Sequence, residues 1–141
     1  MMQLSAKTEY ACIAVLELAA AYSSGEPLQV RKIAAAHQIP SGFLVQILLQ
    51  LKSAGLVHST RGAAGGYRLA RAPREISVWD VIAVVEGEGR TSSIDSRSPA
   101  AQVLTHLWEK AAADSREFMT SITFDRLAEQ VRGVAHDMYY I

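Results

Sequence analysis

The 141-residue chain has one cysteine, Cys12. A single thiol excludes an intrachain disulfide framework. It also excludes any all-thiolate metal or iron–sulfur site assembled from one chain. Long hydrophobic runs are missing as well. None reaches the ~18 residues that a membrane span needs, and no signal-peptide pattern opens the chain. The expectation is a cytoplasmic protein with no membrane partner. No Walker, dinucleotide-binding or Ser/His/Asp arrangement occurs in a fitting context. His37, His58 and His136 form no metal spacing. The sequence therefore predicts no enzyme, no cofactor and no metal site.

An excess of one charge sign is absent overall, with net charge +0, but the two parts of the chain differ. Residues 1–74 hold eight basic and three acidic side chains, a net of +5, while the remainder holds six and eleven, a net of −5. A basic part joined to an acidic part suggests that only one end meets a polyanion. The plainer alternative is charge that is merely unevenly solvated. Half of the residues are hydrophobic and 20% are charged, which is ordinary for a globular domain that folds without staples.

Local signals predict a mainly α chain. Ser5 is placed to cap a helix to about Tyr22, with Tyr10, Ile13, Ala14, Leu16 and Leu18 on a broad apolar face. After Pro27, a short helix carries Val30, Ile33 and Ala34 and stops near His37. Ser41 is placed to cap the next helix, whose inward stripe is Phe43, Leu44, Ile47, Leu48 and Leu51. Residues 56–59 and 66–69 read as two short strands around a Gly-rich turn. Ser77 begins a helix through Val85 with Val78, Val81, Ile82 and Val85 inward. Residues 87–99 read as a mobile loop. A long helix follows from about Ala100 to Ser121, roughly 30 Å. Thr123 is placed to cap a last helix with Phe124, Leu127, Ala128 and Val131. Gly133 should end that helix and leave a tail. The implied domains are 1–86, the loop 87–99, and 100–141.

Helix, short helix, tight turn at Gln38-Ile39-Pro40, second helix and two-stranded ribbon is the order of a winged helix-turn-helix. In such a unit the second helix enters the major groove, and its early outward residues meet base edges. Here those are Ser41, Gly42, Val45 and Gln46. A glutamine pairs bidentately with adenine, and a serine bonds a phosphate or a base. On the ribbon, Arg61 sits at the tip, followed by Gly62, Gly65 and Gly66. Glycines keep a loop thin, and an arginine on a thin loop fits a narrow minor groove. Lys7, Lys52, Ser59 and Tyr67 complete the candidate DNA-binding set. Along the long helix the apolar stripe is too long for one small domain to cover. Its large aromatics suit an interface, so Leu104, Leu107, Trp108, Ala111, Phe118 and Met119 are the candidate dimer contacts.

Leu4-Ser5-Ala6-Lys7-Thr8-Glu9-Tyr10-Ala11, Ile33-Ala34, Leu51-Lys52-Ser53-Ala54-Gly55-Leu56-Val57 and above all Arg61-Gly62-Ala63-Ala64-Gly65-Gly66-Tyr67-Arg68-Leu69 resemble the Rrf-two (Rrf2) family of bacterial transcriptional regulators. Val81, Glu86 and Gly87 match the end of its DNA-binding half. The resemblance is strong over residues 3–87 and looser to about 131. It implies a homodimer, joined through the long helix, on partly palindromic promoter DNA.

Cluster-binding members of that family carry three cysteines after the wing domain, whereas Gly87–Lys110 contains none. Val103-Leu104-Thr105-His106 stands where the cluster regulator has Cys-Leu-Thr-His. Glu9 falls where some members place a carboxylate ligand. Without thiolates, Glu9 and His106 do not make a cluster site. Glu9 reads as a solvated first-turn acid and His106 as a surface or dimer-contact residue. Cys12 reads as a small buried hydrophobe.

The expectation is a sequence-specific DNA-binding regulator, a repressor, acting as a homodimer on double-stranded DNA without an iron–sulfur cluster. The signal it senses stays open between a small molecule, a protein partner, oxidation of Cys12, and none at all. The alternative is a winged-helix protein–protein assembly module.

Overall fold

A computed structural model describes residues 4–87 and 97–139. It is mostly helical, with one small antiparallel sheet. Helix α1 (Ala6–Ala20) is capped by Ser5, whose hydroxyl accepts from the Thr8 N–H at 3.2 Å. Such a cap satisfies one of the orphan donors of a first turn. Ala11, Ala14, Val15 and Leu18 of α1 are fully buried. This helix is the hub of the core, packing against α3 (Ser41–Ser53), α4 (Val78–Glu86), α6 (Phe124–Tyr139) and the second wing strand. Helix α2 (Val30–His37) presents Ile33 and Ala34 inward.

The turn from α2 to α3 is made by Gln38, which takes the left-handed conformation at φ 55°, and by Ile39, which is buried. The Ile39 N–H donates to the Ala34 carbonyl at 2.9 Å. The His37 ring lies 2.8 Å from the Glu17 carboxylate, linking the end of α2 to α1. Two expectations at the start of α3 need correction. Pro40, not Ser41, occupies the cap position, and Ser41 is the first helical residue with no side-chain cap bond. The fixed φ of proline, here −58°, suits the extended residue just ahead of a helix. Phe43 does not join the inward stripe. It is 37% exposed and meets only the edge of Tyr10, ring centroids 5.8 Å apart. Leu44, Ile47, Leu48 and Leu51 fill the core without it.

Strands β1 (Val57–Thr60) and β2 (Gly66–Leu69) pair from Val57↔Leu69 to Thr60↔Gly66. Val57 and Leu69 anchor the base of the ribbon in the core, and exposure rises towards the tip. Ser77 caps α4 through a reciprocal capping box with Asp80. Helix α5 (Pro99–Thr120) is capped by Ser98 and buries only Ala101. It rests one edge on α4, where the Arg116 guanidinium lies 5.3 Å from the centre of the Trp79 ring.

The chain returns to the core at Phe124, which is fully buried. Around that point the Val78 N–H donates to Ile122 and the Phe124 N–H to Ile76, at 2.9 and 3.1 Å. The Thr123 hydroxyl, expected to cap this helix, donates to the Asp125 carboxylate. Gly133 does not end α6, which continues to Tyr139. A mid-helix glycine costs only about 1 kcal/mol, and Val131, Val134 and Met138 carry an apolar row across it. The expected mobile loop falls largely on residues 88–96, outside the described residues. No helix among the described residues is long and apolar enough to cross a membrane.

Candidate nucleic-acid interface

Helix α3 turns two faces in opposite directions. Leu44, Ile47, Leu48 and Leu51 point into the core, while Ser41, Gly42, Val45 and Gln46 are exposed. The 3.6-residue period alone places these four together on the first two turns of the outer face. Val45 is 36% exposed. Lys52 is exposed near the end of the same helix.

The wing is narrow because its glycines leave no alternative. A Cβ at Gly65 would lie 2.1 Å from the Thr60 carbonyl oxygen and 2.9 Å from both Arg61 C and the Gly62 oxygen. A Cβ at Gly66 would lie 2.3 Å from the Leu28 oxygen. Both clashes are with backbone, which cannot rotate away. Gly62 holds φ 106°, a conformation side chains rarely adopt. Together these residues fold the tip so that Arg61 is solvent-exposed. Ser59 is exposed on β1 and Tyr67 is half-buried on β2.

The ribbon is tied to the helix-turn-helix by a contact the sequence did not announce. Leu28 exchanges both backbone hydrogen bonds with Tyr67, each 2.8 Å, and so extends the two-stranded sheet from the segment leading into α2. The Gln29 amide donates to the Ala63 carbonyl at 3.2 Å. A single residue pair separated by 39 positions leaves no local pattern. Pro27 before an apolar residue was the only signal of extended chain there.

Lys7 is on a different helix from this group. It is half-buried in the first turn of α1, where Ser5 and Thr8 hydroxyls donate to the Glu86 carboxylate at the end of α4. Lys7 is thus carried by α1, three residues before Tyr10, whose ring meets Phe43 of α3, whereas the other candidate DNA contacts sit on α3 and the wing.

The candidate dimer residues are exposed on α5. Leu104 is 42%, Leu107 52%, Trp108 48% and Phe118 61% exposed, with Ala111 also exposed and Met119 half-buried. Val131, Val134 and Met138 add a second apolar face on α6, bordering a groove of about 420 Å³ with Leu16 and Leu127.

Residues 4–130 match the Rrf2 family, described as an iron-dependent transcriptional regulator. The HTH-type transcriptional regulator CymR of Bacillus subtilis is 32% identical, covering 99% of this chain and 100% of that protein. The HTH-type transcriptional regulator IscR of Cereibacter sphaeroides is 34% identical, covering 84% and 81%. Two Mycobacterium tuberculosis relatives of the helix-turn-helix class are 48% identical over 86 residues, and there the chain spans about half (53%) of their length. Among solved structures, B. subtilis CymR, the global cysteine regulator, superposes with TM-score 0.81 at 31% identity, covering 92% of this chain and 98% of that one. IscR of T. potens superposes with TM-score 0.76 at 35% identity, covering 92% and 88%.

The iron in the family's description does not suit the donors of this chain. The described residues contain no group of three or more His, Cys, Asp or Glu able to hold a metal, and Gly87–Lys110 contains no cysteine. The one thiol, Cys12, is pushed up to about 11 by burial and then by the negative charge of Glu9. Such a thiol stays protonated, whereas a metal ligand must be a thiolate. His106 is exposed on α5 and Glu9 on α1. A cluster held by thiolates does not fit this set.

Proposed function

The chain belongs to the Rrf2 family of transcriptional regulators, and from that premise we propose that it is a homodimeric repressor reading partly palindromic promoter DNA. The observation that carries the reading is one rigid frame with two exposed readers: the outer face of α3 and the arginine-tipped wing, joined at Leu28–Tyr67. In this reading α3 enters the major groove. Gln46 pairs with adenine through its carboxamide, and Val45 offers methyls to the C5-methyl of thymine. Ser41 and the Gly42 backbone approach at the helix start, where N–H groups favour phosphate. Arg61 enters the adjoining minor groove, with Gly62, Gly65 and Gly66 keeping the loop slim enough to follow. Lys52, Ser59 and Tyr67 position the module against backbone phosphates. Lys7, in the first turn of α1, adds a phosphate contact.

A second copy of the chain covers the exposed stripe of α5, giving a twofold dimer. Such an isologous contact sets two recognition helices and two wings on two half-sites. The dimer occludes a promoter when bound, and an effector that is not an iron–sulfur cluster relieves it.

Recovery of bound fragments from the genome, followed by salt-titrated binding to one of them, tests the reading. The expected result is steeply salt-dependent binding, weakened on the order of 1–3 kcal/mol by Arg61→Ala. Equal affinity and equal salt slope for the two proteins would remove Arg61 from the interface.

A further inference from the structure

Gln29 breaks a local rule. It is the N-cap of α2, with extended backbone at φ −75° and ψ 138°, and its side chain makes no capping bond. Ser, Thr, Asp or Asn at that position would satisfy a first-turn N–H. A residue that forgoes a local contact of this kind is often committed elsewhere. Here the commitment is visible. Its Nε2 donates to the Ala63 carbonyl in the wing tip at 3.2 Å, and its Oε1 accepts from Arg31 Nη2 at 3.4 Å. Ala63 is two residues from Arg61. The flanking Leu28 already holds the ribbon at Tyr67, one pair short of its tip end. Gln29 carries that tie one step further, to Ala63 within the tip itself.

We infer that Gln29 is a positioning residue for DNA recognition: its carboxamide holds the wing tip in fixed register with α3, so that Arg61 and the recognition helix meet the duplex at one spacing. The inference rests on the reading that Arg61 enters the minor groove. It assigns Gln29 no contact with DNA. The side chain acts through the wing, by limiting the positions that Arg61 occupies before binding and so reducing what must be ordered on binding.

Gln29→Ser separates this role from a merely structural one. Serine is a good N-cap, so α2 keeps its stability, but it is too short to reach Ala63. Gln29→Met is the second variant, with the same length and no donor. Affinity for a recovered specific site is measured for wild type, for each variant, for Arg61→Ala, and for the double substitutions, beside thermal melting. The expected result for both variants is a loss of about three- to tenfold in specific affinity, the scale of one neutral hydrogen bond. The melting temperature of Gln29→Ser should be unchanged or higher. In the Arg61→Ala background neither variant should cause further loss, because nothing remains to be positioned.

Undiminished affinity of Gln29→Ser and Gln29→Met beside a weakened Arg61→Ala overturns the inference and leaves the wing reading intact. Losses that add fully to that of Arg61→Ala also overturn it, since Gln29 would then act independently. An Arg61→Ala protein that binds as wild type removes the wing reading and this inference together.

Discussion

Gly65→Ala is the smallest change that should displace the wing tip without altering its charge. The added Cβ would lie 2.1 Å from the Thr60 oxygen, and even the 3.0 Å limit requires the two to part by about 0.9 Å. The neighbours are backbone atoms of Thr60, Arg61 and Gly62, so the strain cannot be relieved by a rotamer. The Gly65 N–H also donates to the Gly62 carbonyl at 2.9 Å, and opening the tip breaks that turn. Overpacking of this kind costs roughly 1–3 kcal/mol, or a fall of several degrees in melting temperature for a chain of this size. The distortion is centred next to Arg61, and the core at Val57 and Leu69 is at the far end of the ribbon. DNA affinity should therefore fall by on the order of tenfold at temperatures where the variant is fully folded. The assay is fluorescence anisotropy on a specific fragment at two salt concentrations, with circular dichroism to verify folding. A folded Gly65→Ala protein with wild-type affinity would refute the argument that the close backbone approach serves to place Arg61.

Replacing the exposed aromatics of α5 tests assembly: Trp108→Asp with Phe118→Asp should yield a monomer by sedimentation at micromolar concentration, with a melting temperature lowered by the lost partner contact and independent of protein concentration. Val45→Glu should shift the base opposite it from thymine towards cytosine, since a carboxylate accepts from the cytosine amino group; identical motifs selected by both proteins would show that Val45 reads no base. Cys12, held near 11 by burial and Glu9, should react with iodoacetamide at pH 8 far more slowly than a free cysteine. The raised value also fixes a sign: the unfolded thiol ionises first, so this group's contribution to stability is complete below about 9 and is lost as pH rises towards 11. A Cys12→Ala protein should lack that part of the alkaline loss in a pH series of thermal melts.

Much of the DNA-reading frame was legible in the sequence because its signals are local. Ser5 and Ser77 cap the helices they precede, and the Arg61–Gly66 segment forms the expected ribbon tip. The outward residues of α3 follow from its period. Where local signals compete, the reading failed. Pro40 and Ser41 both mark a helix start, and the fixed φ of proline took the boundary. Gly133 resembles a stop, but the cost of a glycine within a helix is too small to end α6 there. Phe43 fits the apolar period, yet the core is filled by its neighbours, and it is left at the rim beside Tyr10. Contacts between distant residues were beyond reach in principle: Leu28 with Tyr67, Gln29 with Ala63, Glu86 with Ser5 and Thr8, and Arg116 with Trp79. These contacts decide how the readers are held.

Selection of binding sites from random double-stranded DNA by the purified protein tests the central claim most directly. The account predicts a partly palindromic motif, with two half-sites spaced by about one helical turn or a multiple of it and A·T-rich steps where each wing meets the minor groove. Recovery of no enriched motif, or of a single unrepeated half-site, would contradict a twofold dimer that reads DNA through α3 and Arg61.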